Sequence, residues 1–250
     1  MAIQFLQRLT GQDRTLLANR QLGGMLAFVA GAINAGGFLA VHRYTSHMTG
    51  IVSSIADDLA TGGFALALAG FAALLSFIAG AACTAILINW AHRRQMQSKY
   101  ALALLLEAGL LLLFGLVGAN LRSLEHLLIP TAVLLLCFIM GLQNATVTKI
   151  SNTEIRTTHM TGVITDLGLE LGRLIYWNRA QQGNLIHTVR ANRDKLMIHV
   201  VILGLFFIGG LAGALAFKHF GFSATIPLAL LLIVIAAPAL LLDWRLRLKV

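Results

Sequence analysis

Long apolar runs alternate with short polar connections along the whole chain, and each run is close to the ~20 residues that a helix needs to cross a bilayer. Two further stretches, "GIVSSIADDLA" from Gly50 and "GVITDLGLELG" from Gly162, are amphipathic, and they are too short and too polar to be ordinary spans. The pattern predicts an all-α integral membrane protein with six transmembrane helices and two short helices. The predicted spans are Leu22–Val41, Phe64–Trp90, Ala101–Asn120, Leu127–Thr148, Leu196–Phe217 and Thr225–Leu242.

Composition agrees with this class. Hydrophobic residues make up 58% of the chain, charged residues only 12%, and the mean hydropathy is +0.80, whereas soluble domains carry roughly 25% charged residues. We therefore interpret residues 1–250 as a single membrane domain. Cys83 and Cys137 lie inside apolar runs without metal-ligand or disulfide spacing. No catalytic motif is found, so we predict no metal and no cofactor, and the sequence favours a protein that is not an enzyme without deciding the question.

The distribution of basic residues predicts the orientation. With six spans and a cytoplasmic N-terminus, 16 of the 19 Lys and Arg residues fall on the inside, including those of the segment 1–21 and of the basic loop 173–195. Only Arg43, Arg122 and Lys218 fall outside. Both termini are therefore expected to be cytoplasmic. The net charge of +9 then indicates topology and attraction to lipid headgroups rather than binding of nucleic acid.

An internal repeat is marked by the tetrapeptide His-Met-Thr-Gly, which occurs at 47–50 and again at 159–162. Around it, four pairs occupy matched positions: Gly31 with Gly141, Asn34 with Asn144, Ser54 with Asp166, and Asp58 with Glu170. The halves 22–120 and 127–243 each hold a span, a loop, a short helix and two more spans. Because three spans is an odd number, the halves are predicted to have opposite orientations, an arrangement found in many transporters.

The same segments carry a family resemblance. The chain resembles the YoaK family of bacterial inner-membrane proteins through "GAINAGGFLA" and "SHMTG" in the first half, and through "MGLQNATV" (Met140–Val147) and "RTTHMTG" (Arg156–Gly162) in the second. The resemblance covers nearly the whole chain and implies a six-span protein of the bacterial inner membrane. The family carries a domain of unknown function, so it implies no reaction and no substrate.

The repeated tetrapeptide suggests a binding site. Thr49 and Thr161 are expected to cap the short helices, and Gly50 and Gly162 are expected to let those helices pack closely against Asn34 or Asn144. If the short helices are re-entrant, their N-termini would face a central site for an anionic or hydrogen-bond-accepting solute, and the two copies would bound the main cavity. The predicted binding residues are Asn34, His47, Thr49, Gly50, Gln143, Asn144, His159, Thr161 and Gly162.

An alternative placement stays open, because both short helices are amphipathic and would also suit the membrane interface. Candidate residues for proton coupling are Asp58, Asp166, Glu170 and Glu107. Glu107 lies within a predicted span, where an acid is either functional or reaches towards Arg93 or Arg94 at the surface.

Two functions agree with these features. One is a small-solute permease with its site between the repeats. The other is a non-transport membrane protein, such as a scaffold, an assembly factor, a lipid-interacting protein or a membrane enzyme. The sequence leaves the solute, the coupling ion and a homo-oligomeric state open.

Overall fold

The computed structural model describes residues 16–96, 98–120, 125–150, 159–176 and 190–247, and this part of the chain is helical without any strand. The 3₁₀ turn Gly221–Ala224 joins the last two helices. The α-helices are α1 Leu16–Val41, α2 Met48–Ala60, α3 Phe64–Arg93, α4 Ala101–Ala119, α5 Glu125–Ile150, α6 Met160–Ile175, α7 Arg193–Phe220 and α8 Thr225–Arg247.

Five segments are long and apolar enough to cross a membrane. They are Leu17–Val41, Phe64–Arg93, Ala101–Ala119, Leu128–Ile150 and Arg193–Trp244. The last segment has 52 residues and contains both α7 and α8, with the turn between them beginning at Gly221, where φ is 58°. The predicted all-α membrane class is therefore confirmed, whereas the count of six spans stays a prediction.

Helix ends differ from the predicted bounds in two places. α1 begins at Leu16, so the end of the predicted N-terminal segment 1–21 is already helical. The predicted loop 173–195 is helical at both of its ends, because α6 runs to Ile175 and α7 begins at Arg193. Residues 177–189 between them lie outside the described part.

The packing of the long helices mixes the two halves of the sequence. α1 packs against α7, α5 packs against α3, and α4 packs against α8, while α2 lies on α3 and α6 lies on α7. Exchanging the halves converts the α1–α7 pair into the α5–α3 pair and maps the α4–α8 pair onto itself. These three pairs agree with a two-fold relation between the halves, whereas the contact between α4 and α5 has no counterpart of similar extent between α8 and α1.

Glycines bring the backbones of α1 and α7 into contact. A Cβ atom on Gly31 would overlap the carbonyl oxygen of Phe206, and a Cβ atom on Gly209 would overlap the carbonyl oxygen of Phe28. Small residues allow this close approach between membrane helices, where dispersion forces take the place of the hydrophobic effect. Each helix thus contributes one Phe-x-x-Gly segment to a reciprocal contact.

The α3–α5 pair repeats the same contact. A Cβ atom on Gly141 would overlap the carbonyl oxygen of Phe77, and one on Gly80 would overlap that of Phe138. The four Phe-x-x-Gly segments match in sequence, with a spacing of 110 residues between α1 and α5 and of 129 residues between α3 and α7. Every one of these phenylalanines lies within two residues of the midpoint of its helix. In each pair, the two helices therefore cross near their midpoints.

Candidate functional site

The chain folds back on itself after α1. The ring of Tyr44 stacks on that of Phe38, with 4.5 Å between centroids, and the Ser46 hydroxyl donates to Asn34 Oδ1 at 2.7 Å. Asn34 lies seven residues before the end of α1 at Val41, which is about 10 Å of helix at 1.5 Å per residue. α2 therefore begins beside the body of α1, close to the crossing at Gly31.

α2 and α3 form an antiparallel hairpin. The turn contains Gly62, with a φ of 79°, and the Gly63 amide donates to the Asp58 carbonyl at 2.7 Å. Further from the turn, Ile55 packs so closely on α3 that a Cβ atom on Gly70 would lie 2.6 Å from Ile55 Cγ1. Because Met48 precedes Ile55 by seven residues, the start of α2 lies about 10 Å further along α3, at the level of the crossing.

α6 lies on α7 in the same way. The Asn192 amide, at the start of α7, donates to Glu170 Oε2 at 2.7 Å, and one helical turn further along, Asp166 Oδ2 lies 3.9 Å from His199 Nε2. The two helices are therefore antiparallel. Met160, at the start of α6, is ten residues or about 15 Å from Glu170, which again places the start of the short helix near the middle of its long partner.

The two tetrapeptides occupy the same local position, but their threonines do not cap the helices. α2 begins at Met48 and α6 at Met160, and the N-cap residues are His47 and His159. Neither helix has a side-chain capping hydrogen bond. The prediction that Thr49 and Thr161 are caps is wrong, because both residues already lie in the first turn and are exposed.

The glycines of the tetrapeptides make room for the histidines. A Cβ atom on Gly50 would overlap the imidazole of His47, and a Cβ atom on Gly162 would overlap that of His159. The prediction that these glycines let the helix pack against Asn34 or Asn144 is therefore wrong. The repeat His-x-x-Gly places an imidazole over the first turn of each short helix, which explains why the histidine and the glycine recur together.

The predicted polar residues of the spans serve separate contacts. Asn34 accepts from Ser46, whereas the fully buried Gln143 donates from Nε2 to the Leu26 carbonyl at 3.2 Å and thereby joins α5 to α1. The Asn144 carbonyl accepts from Thr148 Oγ1 at 2.8 Å within α5. The structure thus does not join Asn34 and Gln143 in one hydrogen-bonded cluster.

The candidate acids fall in different environments. Glu170 is buried and accepts from Arg173 Nη1 at 2.7 Å as well as from Asn192, so both of its oxygens are occupied. Asp166 is 60% exposed and Asp58 is half-buried. Glu107 is 0% exposed and neither of its oxygens has a hydrogen-bond partner. The alternative in which Glu107 reaches the surface near Arg93 or Arg94 is therefore wrong.

Buried hydroxyl groups form a second polar feature, which the sequence analysis missed. Thr84 on α3 and Thr146 on α5 both donate to the Leu142 carbonyl, at 2.9 and 2.8 Å. Thr45 is 1% exposed, and its hydroxyl has no partner. Threonines within apolar runs were the available signal in the sequence. The hydropathy of threonine differs little from that of its apolar neighbours, so a threonine does not stand out in a hydropathy profile.

A groove of about 470 Å³ lies between α1, α7 and α8, with Arg20 and Gln21 at one end and Phe28 and Leu231 in its lining. None of the predicted binding residues lines it. The lining of this groove is almost entirely apolar, and the expectation that the tetrapeptides bound the main cavity stays a prediction.

Comparison with known proteins places the chain among membrane proteins. The family described as "Protein of unknown function (DUF1275)" matches residues 22–237. The chain belongs to this family. This DUF1275 protein is similar to the UPF0700 transmembrane protein YoaK of Bacillus subtilis (strain 168), with 24% identity over 202 residues, 78% of the chain and 84% of YoaK. No solved structure matches the DUF1275 protein. The resemblance to the YoaK family is thereby confirmed, and the protein is a multi-pass membrane protein.

Proposed function

We propose that this DUF1275 protein is a permease for a small anionic or hydrogen-bond-accepting solute, bound between two inverted three-span halves. The observation that carries the proposal is the position of the short helices. α2 begins near the middle of α3 and beside α1, and α6 begins near the middle of α7. The N-cap residues His47 and His159 make no side-chain capping hydrogen bond. This geometry supports the re-entrant alternative, in which a helix N-terminus faces the solute from each side.

The uncapped N-termini offer suitable chemistry. The first four N–H groups of a helix lack partners within the helix, and the helix dipole adds a partial positive charge there. α7 satisfies such groups with Asn192, whose Oδ1 accepts from the amides of Asp194 and Lys195 at 3.1 Å. Neither N-cap residue of α2 and α6 supplies such a side-chain acceptor. In α2 the Met48 amide donates to the Ser46 carbonyl at 3.2 Å, and the buried hydroxyl of Thr45 lies just before the helix. An anion or a carbonyl group of the solute would supply the missing acceptor.

The helix pairing supports a way to alternate access. α1, α6 and α7 form one bundle and α3, α2 and α5 form the other, each held by a reciprocal Phe-x-x-Gly crossing. The bundles meet where α1 contacts α5, with the Gln143–Leu26 hydrogen bond between them. In this proposal the crossings stay fixed while the bundles rock about the α1–α5 contact, opening the solute site to one side and then to the other.

The proposal also covers orientation and location. We place the protein in the bacterial inner membrane with both termini cytoplasmic and with six spans. Reporter fusions after Gln97, Glu125, Gln182 and His219 are expected to read in, out, in and out. A periplasmic signal at Gln182 would contradict the inverted repeat, because the two halves would then share one orientation.

Purified protein allows a direct test of the permease. Thermal unfolding is measured with inorganic phosphate, acetate, succinate and chloride, and the compound that stabilises most is then assayed for uptake into proteoliposomes. A solute at 100 times its Kd stabilises the native state by about 2.7 kcal/mol. We expect the variant with His47→Ala and His159→Ala to lose this stabilisation and the uptake. His219→Ala changes an exposed histidine at the end of α7 and should retain both.

A scaffold or lipid-interacting protein is the second candidate, and one observation favours it. Asn34 and Gln143 bond to separate partners, as expected of side chains that only fasten helices together. If none of the tested anions stabilises the protein and none is taken up, this second function replaces the first.

A further inference from the structure

Glu107 occupies an unusual position for an acid. It lies six residues into α4, on the buried stripe that also contains Leu104, Leu111 and Phe114. Its side chain is 0% exposed, and within the described part of the chain both buried carboxyl oxygens are without a hydrogen-bond partner. Buried polar atoms without partners are few in native proteins and usually mark a functional group or a place for water.

Among the side chains that the structure describes, no positive charge on the elements packed against α4 pairs with Glu107. α4 contacts α8, α5, the 3₁₀ turn and α3, and no ion pair within the described residues involves Glu107. Asp243, the acid on α8, accepts from Ser98. The titratable or charged groups on these elements, among the side chains that the structure describes, are Asp243 on α8, Cys137 and Lys149 on α5, and Cys83, His92 and Arg93 on α3.

This environment suits one ligand. An ionised carboxylate in an apolar interior without a partner is very costly, so the neutral acid is the form that these surroundings stabilise. A metal cation such as Mg²⁺ or Ca²⁺ needs about six or more oxygen ligands, and no group of three or more acidic, histidine or cysteine side chains converges within the described residues. A lone buried carboxyl group binds a proton.

We propose that Glu107 is the residue that binds and releases the coupling proton of the permease, a role that rests on the proposed function. When the bundles open, water reaches the carboxyl group, its O–H bond breaks, and the proton passes to that water and leaves a carboxylate. Reprotonation from the other side restores the closed form. The proposal assigns the coupling proton to Glu107 rather than to Glu170, whose two oxygens accept from Arg173 and Asn192.

Infrared difference spectroscopy tests the protonation of Glu107 without any solute. The chain has only ten acidic side chains, so the carbonyl stretch of one protonated carboxyl group can be assigned with few variants. We expect wild-type protein in nanodiscs at neutral pH to show this band, with a shift in D₂O. Glu107→Gln should remove the band, and Glu170→Gln should leave it. A wild-type spectrum without the band would overturn the proposal.

A second measurement separates a coupling acid from a buried structural one. The variant has Cys83 and Cys137 replaced by alanine and a single cysteine in place of Thr49. Its labelling rate with a membrane-impermeant thiol reagent is measured over a range of pH and is divided by the labelling rate of free cysteine at the same pH. We expect several-fold changes in labelling rate with pH, and a rate independent of pH when Glu107→Gln is added. If Glu107→Gln leaves the pH dependence intact, Glu107 is structural and the proposal fails.

The two proposals fail in different ways. If phosphate, acetate, succinate and chloride all fail to stabilise the protein or to be taken up, the permease is rejected, whatever the spectrum shows. If one of them is taken up, and Glu107→Gln retains uptake driven by a pH gradient, the permease stands and the role of Glu107 is rejected.

Discussion

Gly209→Ala is expected to destabilise the protein by roughly 3 kcal/mol, at the upper end of what overpacking usually costs. The added methyl group would overlap the carbonyl oxygen of Phe28 on α1. A backbone atom at the centre of a helix crossing cannot move aside as a side chain can, so α1 and α7 must separate. The measurement is thermal unfolding in detergent, compared with wild-type protein.

Gly204→Ala is the matched control, because Gly204 lies in the same helix and nothing lies within 4 Å of the position of its added methyl group. Alanine forms helix better than glycine by about 1 kcal/mol, so this variant should be as stable as wild-type protein or slightly more stable. The reciprocal crossing predicts that Gly80→Ala and Gly141→Ala behave like Gly209→Ala. Equal stability of the Gly204 and Gly209 variants would contradict the crossing.

Asp243→Ala is expected to cost roughly 3 kcal/mol, because it leaves two buried donors unsatisfied. The backbone amide of Ser98 donates to Asp243 Oδ2 at 2.9 Å, and the Ser98 hydroxyl donates to the same oxygen. Ser98 is 0% exposed and Asp243 8% exposed, so water does not replace the lost acceptor. These bonds fasten the end of α8 to the segment that leads into α4.

Asp194→Ala provides the comparison, since Asp194 is exposed in the first turn of α7 and should cost only about 0.3–1 kcal/mol through the helix dipole. Asp243→Asn retains one oxygen acceptor and is expected to fall between the two. Thermal unfolding of the three variants orders them. If Asp243→Ala were as stable as Asp194→Ala, the link between α8 and α4 would not contribute to stability.

The helices were predictable because the bilayer imposes a length on each apolar run. Each predicted span lies on a helix of the structure, and the repeated tetrapeptide marks the start of both short helices. The length of an apolar run does not indicate which other helix it packs against. The matched positions Gly31 and Gly141 indicate that α1 corresponds to α5, but they do not indicate that α1 packs on α7.

The Phe-x-x-Gly segments are visible in the sequence, but a prediction based on the polar tetrapeptide does not include them. A search for small residues recurring at the two repeat spacings would have found Gly80 and Gly209 together with Gly31 and Gly141. The caps were mispredicted for a physical reason. Threonine is a common N-cap residue, but the residue at which a helix begins depends on the conformation of the preceding loop. Before α2, the hydrogen bond from Ser46 to Asn34 holds that loop.

The acids show the same limit. An acid within an apolar run is conspicuous, so Glu107 is identifiable as a candidate from the sequence alone. Its neighbours depend on which helices surround α4, and the sequence left both an exposed and a buried placement open. Glu170 appeared equivalent to Asp58 by position, yet the segment before α7 gives Glu170 a backbone partner at Asn192. Matched positions therefore do not guarantee matched contacts.

The depth of the short helices tests the central claim most directly. Nitroxide labels are placed at Thr49 and Thr61, near the two ends of α2, in protein with Cys83 and Cys137 replaced by alanine. The depth of each label in nanodiscs is measured from its accessibility to oxygen and to a water-soluble nickel complex. A re-entrant α2 predicts that the label at 49 lies deeper than the label at 61 by up to about 18 Å, the rise of twelve residues. Labels at Thr161 and Leu174 should give the same order for α6. Equal depths in the headgroup layer for both pairs would show that the short helices lie flat and would contradict a solute site between the halves.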